Sequence, residues 1–186
     1  MKTLPLYAVE ATDHLVQPAD FTGAYLDSPA LSLLSDFKHS QPTMIDADTR
    51  AADALEMMQH DHTRLKLVVD DRDELLGLIQ LEQLSHQAII RQVAKGDARH
   101  DILVTDLMLP RDKIKSFSYQ QLEHSTIADV IHTLQSSGEQ YCLVIDRESH
   151  QIRSVISVQD IAQRLHMPLD IRKTPTLLNI VDTHSA

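Results

Sequence analysis

Apolar positions along the chain fall into two rhythms, and the order of the rhythms recurs. Ile127, Val130, Ile131 and Leu134 stand at i, i+3, i+4 and i+7, which is one stripe of a helix. Ala51, Ala54, Leu55 and Met58 make the matching stripe earlier in the chain. Ser125 or Thr126 suits the N-cap of the later helix, and Asp48 or Thr49 that of the earlier one. "LKLVVD" (65–70) and "YCLVID" (141–146) are short β-branched runs ending in Asp, which predict strands entering a turn. "LLGLIQ" (75–80) and "IRSVIS" (152–157) predict the returning arm of each hairpin. Val158, Ile161, Ala162 and Leu165 then form another helical stripe, matched by Leu81, Leu84, Ser85 and Ala88. Each series reads strand, helix, strand, strand, helix.

The two series are copies. Asp70 aligns with Asp146 and Asp53 with Asp129 at an offset of 76, and Ile79 with Ile156 at 77, so the second hairpin turn is one residue longer. Upstream, "LLSDF" (33–37) resembles "LVTDL" (103–107) at an offset of 70. A unit of this size leaves half of its apolar surface uncovered and is marginal alone. Two copies packed sheet to sheet bury both faces, so the expected class is α+β in one pseudo-twofold module. The expected divisions are an N-terminal arm (1–32), repeat 1 (33–93), a linker (94–101), repeat 2 (102–166) and a C-terminal tail (167–186). The linker lies within the polar stretch "RQVAKGDARHD" (91–101), which contains Gly96.

Composition narrows the function classes. With 17 Lys+Arg against 27 Asp+Glu the formal net charge is −10. No basic run is available to displace phosphate counterions, which argues against nucleic acid and against an anionic membrane surface. Aromatics are 4% and Trp is absent, so the core must be aliphatic. The one cysteine, Cys142, excludes an intrachain disulfide and a Cys-based zinc cage, and its apolar setting reads as a buried small hydrophobe. No apolar run approaches the ~20 residues of a membrane span, and the start "MKTLPLYAVEATDH" does not suit a signal peptide. A reduced, cytoplasmic, soluble protein is expected.

The ordered set "TMIDADTRAADALEMM", "LKLVVDDRDELLGLIQLEQL", "DLMLPRDKI" and "SVISVQDIAQRL" resembles a tandem pair of cystathionine β-synthase (CBS) domains, a Bateman module, over residues 33–166. "HTRLKLVVDDRDELLGLI" and "DLMLPRDKI" are similar to the CBS pairs of CorC-type magnesium and cobalt transport proteins. The resemblance implies a regulatory, non-enzymatic module. It also implies an adenine nucleotide or adenosyl ligand (AMP, ADP, ATP or S-adenosylmethionine) in clefts between the repeats, and a homodimer. No further domain is evident in this chain, so the output is expected to pass through an unidentified regulated protein or through oligomerisation.

The same resemblance places a Ser/Thr-x-x-Asp pattern at the strand-to-helix turn, with the Asp on ribose hydroxyls and the Ser on ribose or phosphate. Repeat 2 matches with Ser157 and Asp160, whereas repeat 1 has Gln80 and Gln83. Two readings of the pair stand side by side. A carboxylate accepts from two hydroxyls at once, and a helix N-terminus suits phosphate. Yet Ser at the N-cap with Asp at N3 is also close to a capping box. Arg164, four residues after Asp160, suits either a phosphate contact or an ion pair with Asp160. Arg111, Lys113, Lys115 and Arg153 are further candidate cations, and Phe117 in "IKSFS" (114–118) is either an adenine wall or core.

There are 11 histidines, scattered along the chain. His60 and His62 form a His-x-His pair, but a metal site needs a third ligand and supporting partners, so no metal site is assigned. No nucleophile elbow, P-loop or HExxH is present, and four glycines supply no Gly-rich phosphate cradle. Two alternatives to a nucleotide sensor follow. One is a ligand-free dimerisation or docking scaffold, and the other is a regulatory subunit linked to divalent-metal transport.

Overall fold

The computed structural model describes residues 25–85, 87, 89, 90, 101–166, 168 and 169. A 3-10 turn (Ala30–Leu33) precedes β1 (Met44–Asp46), α1 (Ala51–His60), β2 (Leu65–Val69), β3 (Leu75–Gln80) and a second 3-10 turn (Leu81–Leu84). The single-turn helix α2 (Val104–Leu107), β4 (Leu109–Pro110) and a third 3-10 turn (Arg111–Lys113) lead into the second half. That half holds β5 (Lys115–Ser118), the single turn α3 (Tyr119–Leu122), α4 (Ile127–Ser137), β6 (Tyr141–Asp146), β7 (Gln151–Ser157) and α5 (Val158–Leu165). This is the α+β duplication that the sequence pattern predicts.

The sheets run β1-β2-β3-β4 and β5-β6-β7. In each, the first strand pairs parallel with the second and a hairpin follows. Even the irregularity is duplicated, since the hairpin register shifts between Val68 and Val69 and again between Val144 and Ile145. Strand alternation then sorts the side chains. Leu67, Leu75, Leu78, Tyr141 and Leu143 meet in a shared layer between the sheets. Val68 and Ile79 turn instead to α1 and Met58, and Cys142, Val144 and Ile156 turn to α4 and α5. Cys142 is buried in that second layer, and burial pushes its thiol up to about 12.

The halves exchange their leading segments. Ala51, at the start of α1, donates its N–H to Ile102 O (2.9 Å), and Val104 donates back to Thr49 O (2.9 Å). At the start of α4, Ile127 donates to Ser28 O (2.9 Å) and Ala30 donates to Ser125 O (2.9 Å). The segment before each repeat thus packs on the opposite repeat. Thr126 caps α4, with its Oγ1 accepting from Asp129 N. The expectation of Asp48 or Thr49 capping α1 is not met, because the N-cap is Arg50 and its side chain makes no cap bond. The free N–H there is satisfied by backbone from residue 102, which removes the need for a capping side chain.

The predicted helix through Leu81, Leu84, Ser85 and Ala88 is interrupted. Leu81–Leu84 form a 3-10 turn, Ser85 is extended (φ −58°, ψ 152°), and residues 87, 89 and 90 are helical. Residues 25–32 of the expected arm lie on repeat 2, and Leu169 of the tail packs against the repeat 2 core. Residues 1–24, the linker up to residue 100 and residues 170–186 lie outside the described residues.

Gly77 marks a close approach between β3 and β4. It pairs with Pro110 of β4, and a Cβ built on it meets Leu109 O at 2.5 Å and Met108 Sδ at 2.7 Å. Gly77→Ala is therefore expected to push β4 off the sheet and cost about 1–3 kcal/mol, read as a lower urea midpoint at unchanged slope.

Candidate functional site

The N-terminus of α5 is where the two repeats differ most. Ser157 ends β7, is 5% exposed and is the N-cap of α5. Its Oγ accepts from Asp160 N (3.2 Å), the first half of a capping box. The second half is not made. At α4 the carboxylate of Asp129 reaches back to Thr126 N (2.8 Å), and at α2 that of Asp106 reaches back to Leu103 N (2.9 Å). In repeat 1, Gln83 Oε1 likewise accepts from Gln80 N (2.9 Å). Asp160 does none of this, and its exposed carboxylate has no hydrogen-bond partner among the described residues. The capping reading accounts for Ser157 but leaves the Asp160 carboxylate free.

That carboxylate lines a narrow cleft with Ser157, Arg164, Ile156, Leu33 and Ser35. The cleft holds about 40 Å³, far below the roughly 300 Å³ at which small-molecule pockets begin. Arg164 pairs with neither Asp160 nor any other carboxylate among the described ion pairs. Its Nη1 donates to Ser32 O (3.1 Å), across the mouth of the cleft. Arg64, which the sequence reading passed over, enters from repeat 1, donating through Nη1 to Gln159 Oε1 (3.0 Å) beside Asp160. The available signal was its place in the repeat, since its counterpart at an offset of 76 is Gln140, which carries no charge. Tyr141 lies between the sheets at this end of the molecule. Burial and the charges of Glu82 and Asp160 raise its hydroxyl pKa.

The remaining candidates lie elsewhere. Arg153 is 7% exposed and joins Asp36 through Nε (2.9 Å) and Nη2 (2.5 Å), reaches Asp146 through Nη1 (3.5 Å), and lies 4.3 Å above the ring centre of Tyr119. Its charge is used in holding residue 36 to β7 rather than offered to the small cleft. Phe117 is 8% exposed in the core against α4, and neither it nor Lys115, exposed on edge strand β5, lines the cleft. Lys113 stands 3.9 Å from Asp112 at the surface, and Arg111 donates to Leu75 O (3.3 Å). Arg111 and Arg153 border a wider groove of about 510 Å³ between the hairpin tips, floored by Phe37, Met44, Leu67 and Ile152. His60 is exposed beside Asp61, and His62 has a positive φ of 53°. Among the described residues no group of three or more His, Cys, Asp or Glu side chains is arranged to hold a metal ion. No helix among them is long and apolar enough to cross a membrane.

Two sheets face to face, helices outside, and a cleft at one strand-to-helix turn define a duplicated α+β fold. The CBS domain family model matches residues 34–86, and the fold is that of CBS-domain proteins. A hemolysin-like protein containing a CBS domain from Oenococcus oeni PSU is 18% identical, with a TM-score of 0.52 over 80% of this chain and 95% of that one. CBSX2, solved in complex with AMP, is 15% identical, with a TM-score of 0.51 over 73% and 94%. A conserved CBS domain protein of unknown function from Thermoplasma acidophilum is 17% identical, with a TM-score of 0.52 over 73% and 67%. No curated protein matches the sequence significantly.

The Arg153 cluster makes stability acid-sensitive. The hydrogen bond from Arg153 holds Asp36 well below the usual carboxylate range. The hydrogen bond from Gln120, followed by those at Ser149 and Glu148, lowers Asp146 to about 2. Depressed folded-state values stabilise the fold above the unfolded carboxylate pKa of about 4, and that contribution is lost as pH falls through the depressed values. Urea midpoints are expected to fall from about pH 4 downward. Asp36→Asn should start lower at neutral pH and lose less over the same interval.

Proposed function

We propose that the chain is a regulatory CBS pair that senses an adenine nucleotide or adenosyl compound in the cleft beside Ser157 and Asp160. The observation that carries this reading is the free carboxylate of Asp160. Every other N3 acceptor noted above closes on its own N-cap, while this one faces a cleft at a helix N-terminus. A carboxylate accepts two hydroxyl donors at once, as a ribose presents them, and Arg164, lining the cleft from the last turn of α5, and Arg64, bonded to Gln159, bring positive charge near Asp160 on an acidic chain. CBS-domain proteins are generally regulatory, and the AMP complex of CBSX2 supports the ligand class. In repeat 1, Gln80 and Gln83 are committed to each other, which favours repeat 2 as the binding half. Homodimerisation, a cytoplasmic setting and a signal passed to a partner protein belong to the same proposal.

The narrowness of the cleft favours a second reading, a ligand-free scaffold that uses the fold for dimerisation or docking. Calorimetric titration with AMP, ADP, ATP and S-adenosylmethionine separates the two. The sensor reading expects saturable binding of at least one compound. It also expects Asp160→Ala to weaken that binding roughly 10- to 100-fold, since hydrogen bonds to charged groups contribute about 1.5–3 kcal/mol. Absence of heat with all four, or unchanged affinity in Asp160→Ala, leaves the scaffold.

A further inference from the structure

The cleft is narrow because residues 31–36 lie across it. This strap belongs in sequence to repeat 1, but its contacts are with repeat 2. Its N-terminal end is fixed. Ala30 is fully buried, Pro29 forms a β-bridge with Thr126, and Ile127 and Ala128 donate to Ser28 O and Leu26 O. Beyond that point Leu33 is buried in the repeat 2 core, with Leu31 and Leu34 packed against it. Leu33 and Ser35 form one wall, and Arg164 holds Ser32 O on the other.

The strap is fastened at its far end by polar bonds. Asp36 takes the bidentate pair from Arg153, Phe37 N donates to Arg153 O (2.7 Å), and Ser154 Oγ donates to Ser35 O (3.0 Å). Past this fastening the chain runs through the exposed residues Lys38–Gln41, with a local turn in which Lys38 N donates to Asp36 Oδ1 (3.0 Å). The opposite wall is set deeper in the same core, with Ile156 and Ile161 3% and 1% exposed against 8% for Leu33, and it is built from β7 and α5 themselves.

We propose that residues 31–36 are a gate over the Ser157–Asp160 cleft, hinged at Ala30 and latched by Asp36 on Arg153, and that a ligand enters by opening it. This rests on the nucleotide reading of the cleft and adds how occupancy is communicated. Opening releases Asp36 from β7 and moves Phe37, which also lines the groove between the hairpin tips, so a ligand at α5 alters a surface at the other end of the sheets. A ligand that binds only the open form has an apparent affinity scaled by the open fraction.

Asp36→Asn and Ser154→Ala loosen the latch without touching the cleft, and Asp36→Asn leaves Arg153 its second carboxylate, Asp146. Both proteins are first shown to unfold cooperatively in urea. Stopped-flow association with AMP, ADP, ATP and S-adenosylmethionine is then measured beside hydrogen exchange at the Ala30 and Phe37 amides. The gate predicts association about 3- to 10-fold faster in each variant, with faster exchange at Phe37 and little change at Ala30, the hinge. Binding at the wild-type rate in both variants overturns the gate and leaves the nucleotide reading standing. Unchanged exchange at Phe37 also overturns it. Absence of binding in the wild type and in both loosened variants removes the nucleotide reading and the gate together.

Discussion

The first backbone N–H groups of α1 and α4 have no acceptor inside their own repeat. A helix leaves four such donors at its N-terminus, and leaving one buried without a partner costs on the order of 1–3 kcal/mol. Here each helix takes a carbonyl from the other half's leading segment: Ile102 O for Ala51, and Ser28 O for Ile127. Neither repeat is complete without the chain that precedes its twin. Sheet-to-sheet packing through Leu67, Leu78, Tyr141 and Leu143 supplies apolar burial, which is largely non-directional. The exchanged segments supply direction and fix which edge of one repeat meets which edge of the other. The Arg153 cluster is a local instance of this exchange, a buried cation of repeat 2 neutralised by Asp36 from the leading segment of repeat 1.

Much of this was legible in the sequence. Helical stripes at Ala51–Met58 and Ile127–Leu134, the paired hairpins and the offset of 76 all appear as predicted, because each reflects a periodicity that one face of an element imposes on its own residues. What the sequence hid are the interactions that skip between halves. Arg50 is a poor capping residue by type, and nothing local announces that residue 102 supplies the acceptor. The break at Ser85 was hidden in the same way, since Leu81, Leu84 and Ala88 keep a helical spacing through it.

The candidate site divides along the same line. Ser157, Asp160 and Arg164 are neighbours on one helix, so their gathering follows from spacing alone. Arg153 and Phe117 lie in elements whose alternation turns them into the protein, and a candidate chosen for charge or ring had no means of showing that. Arg64 was missed for the complementary reason. It stands just before β2, and only the tertiary fold carries it 95 residues along the chain to Gln159.

Duplication also shows where the two halves differ at the same turn. The scaffold demands a satisfied N–H at each strand-to-helix turn, and Gln83 meets that demand in repeat 1 with a neutral amide folded back on Gln80. In repeat 2 the Ser157 hydroxyl accepts from a different donor, Asp160 N, and Ser157 N makes no return bond to the Asp160 carboxylate. The side chain at the third position of α5 therefore makes no capping bond. An aspartate kept there without a partner, on a chain already at −10, adds negative charge and no hydrogen bond to the fold. A carboxylate at the positive end of a helix gains typically 0.3–1 kcal/mol from the dipole, and the neutral Gln83 forgoes that term without loss of the turn. Stability therefore admits either residue, and the turn itself does not decide between them.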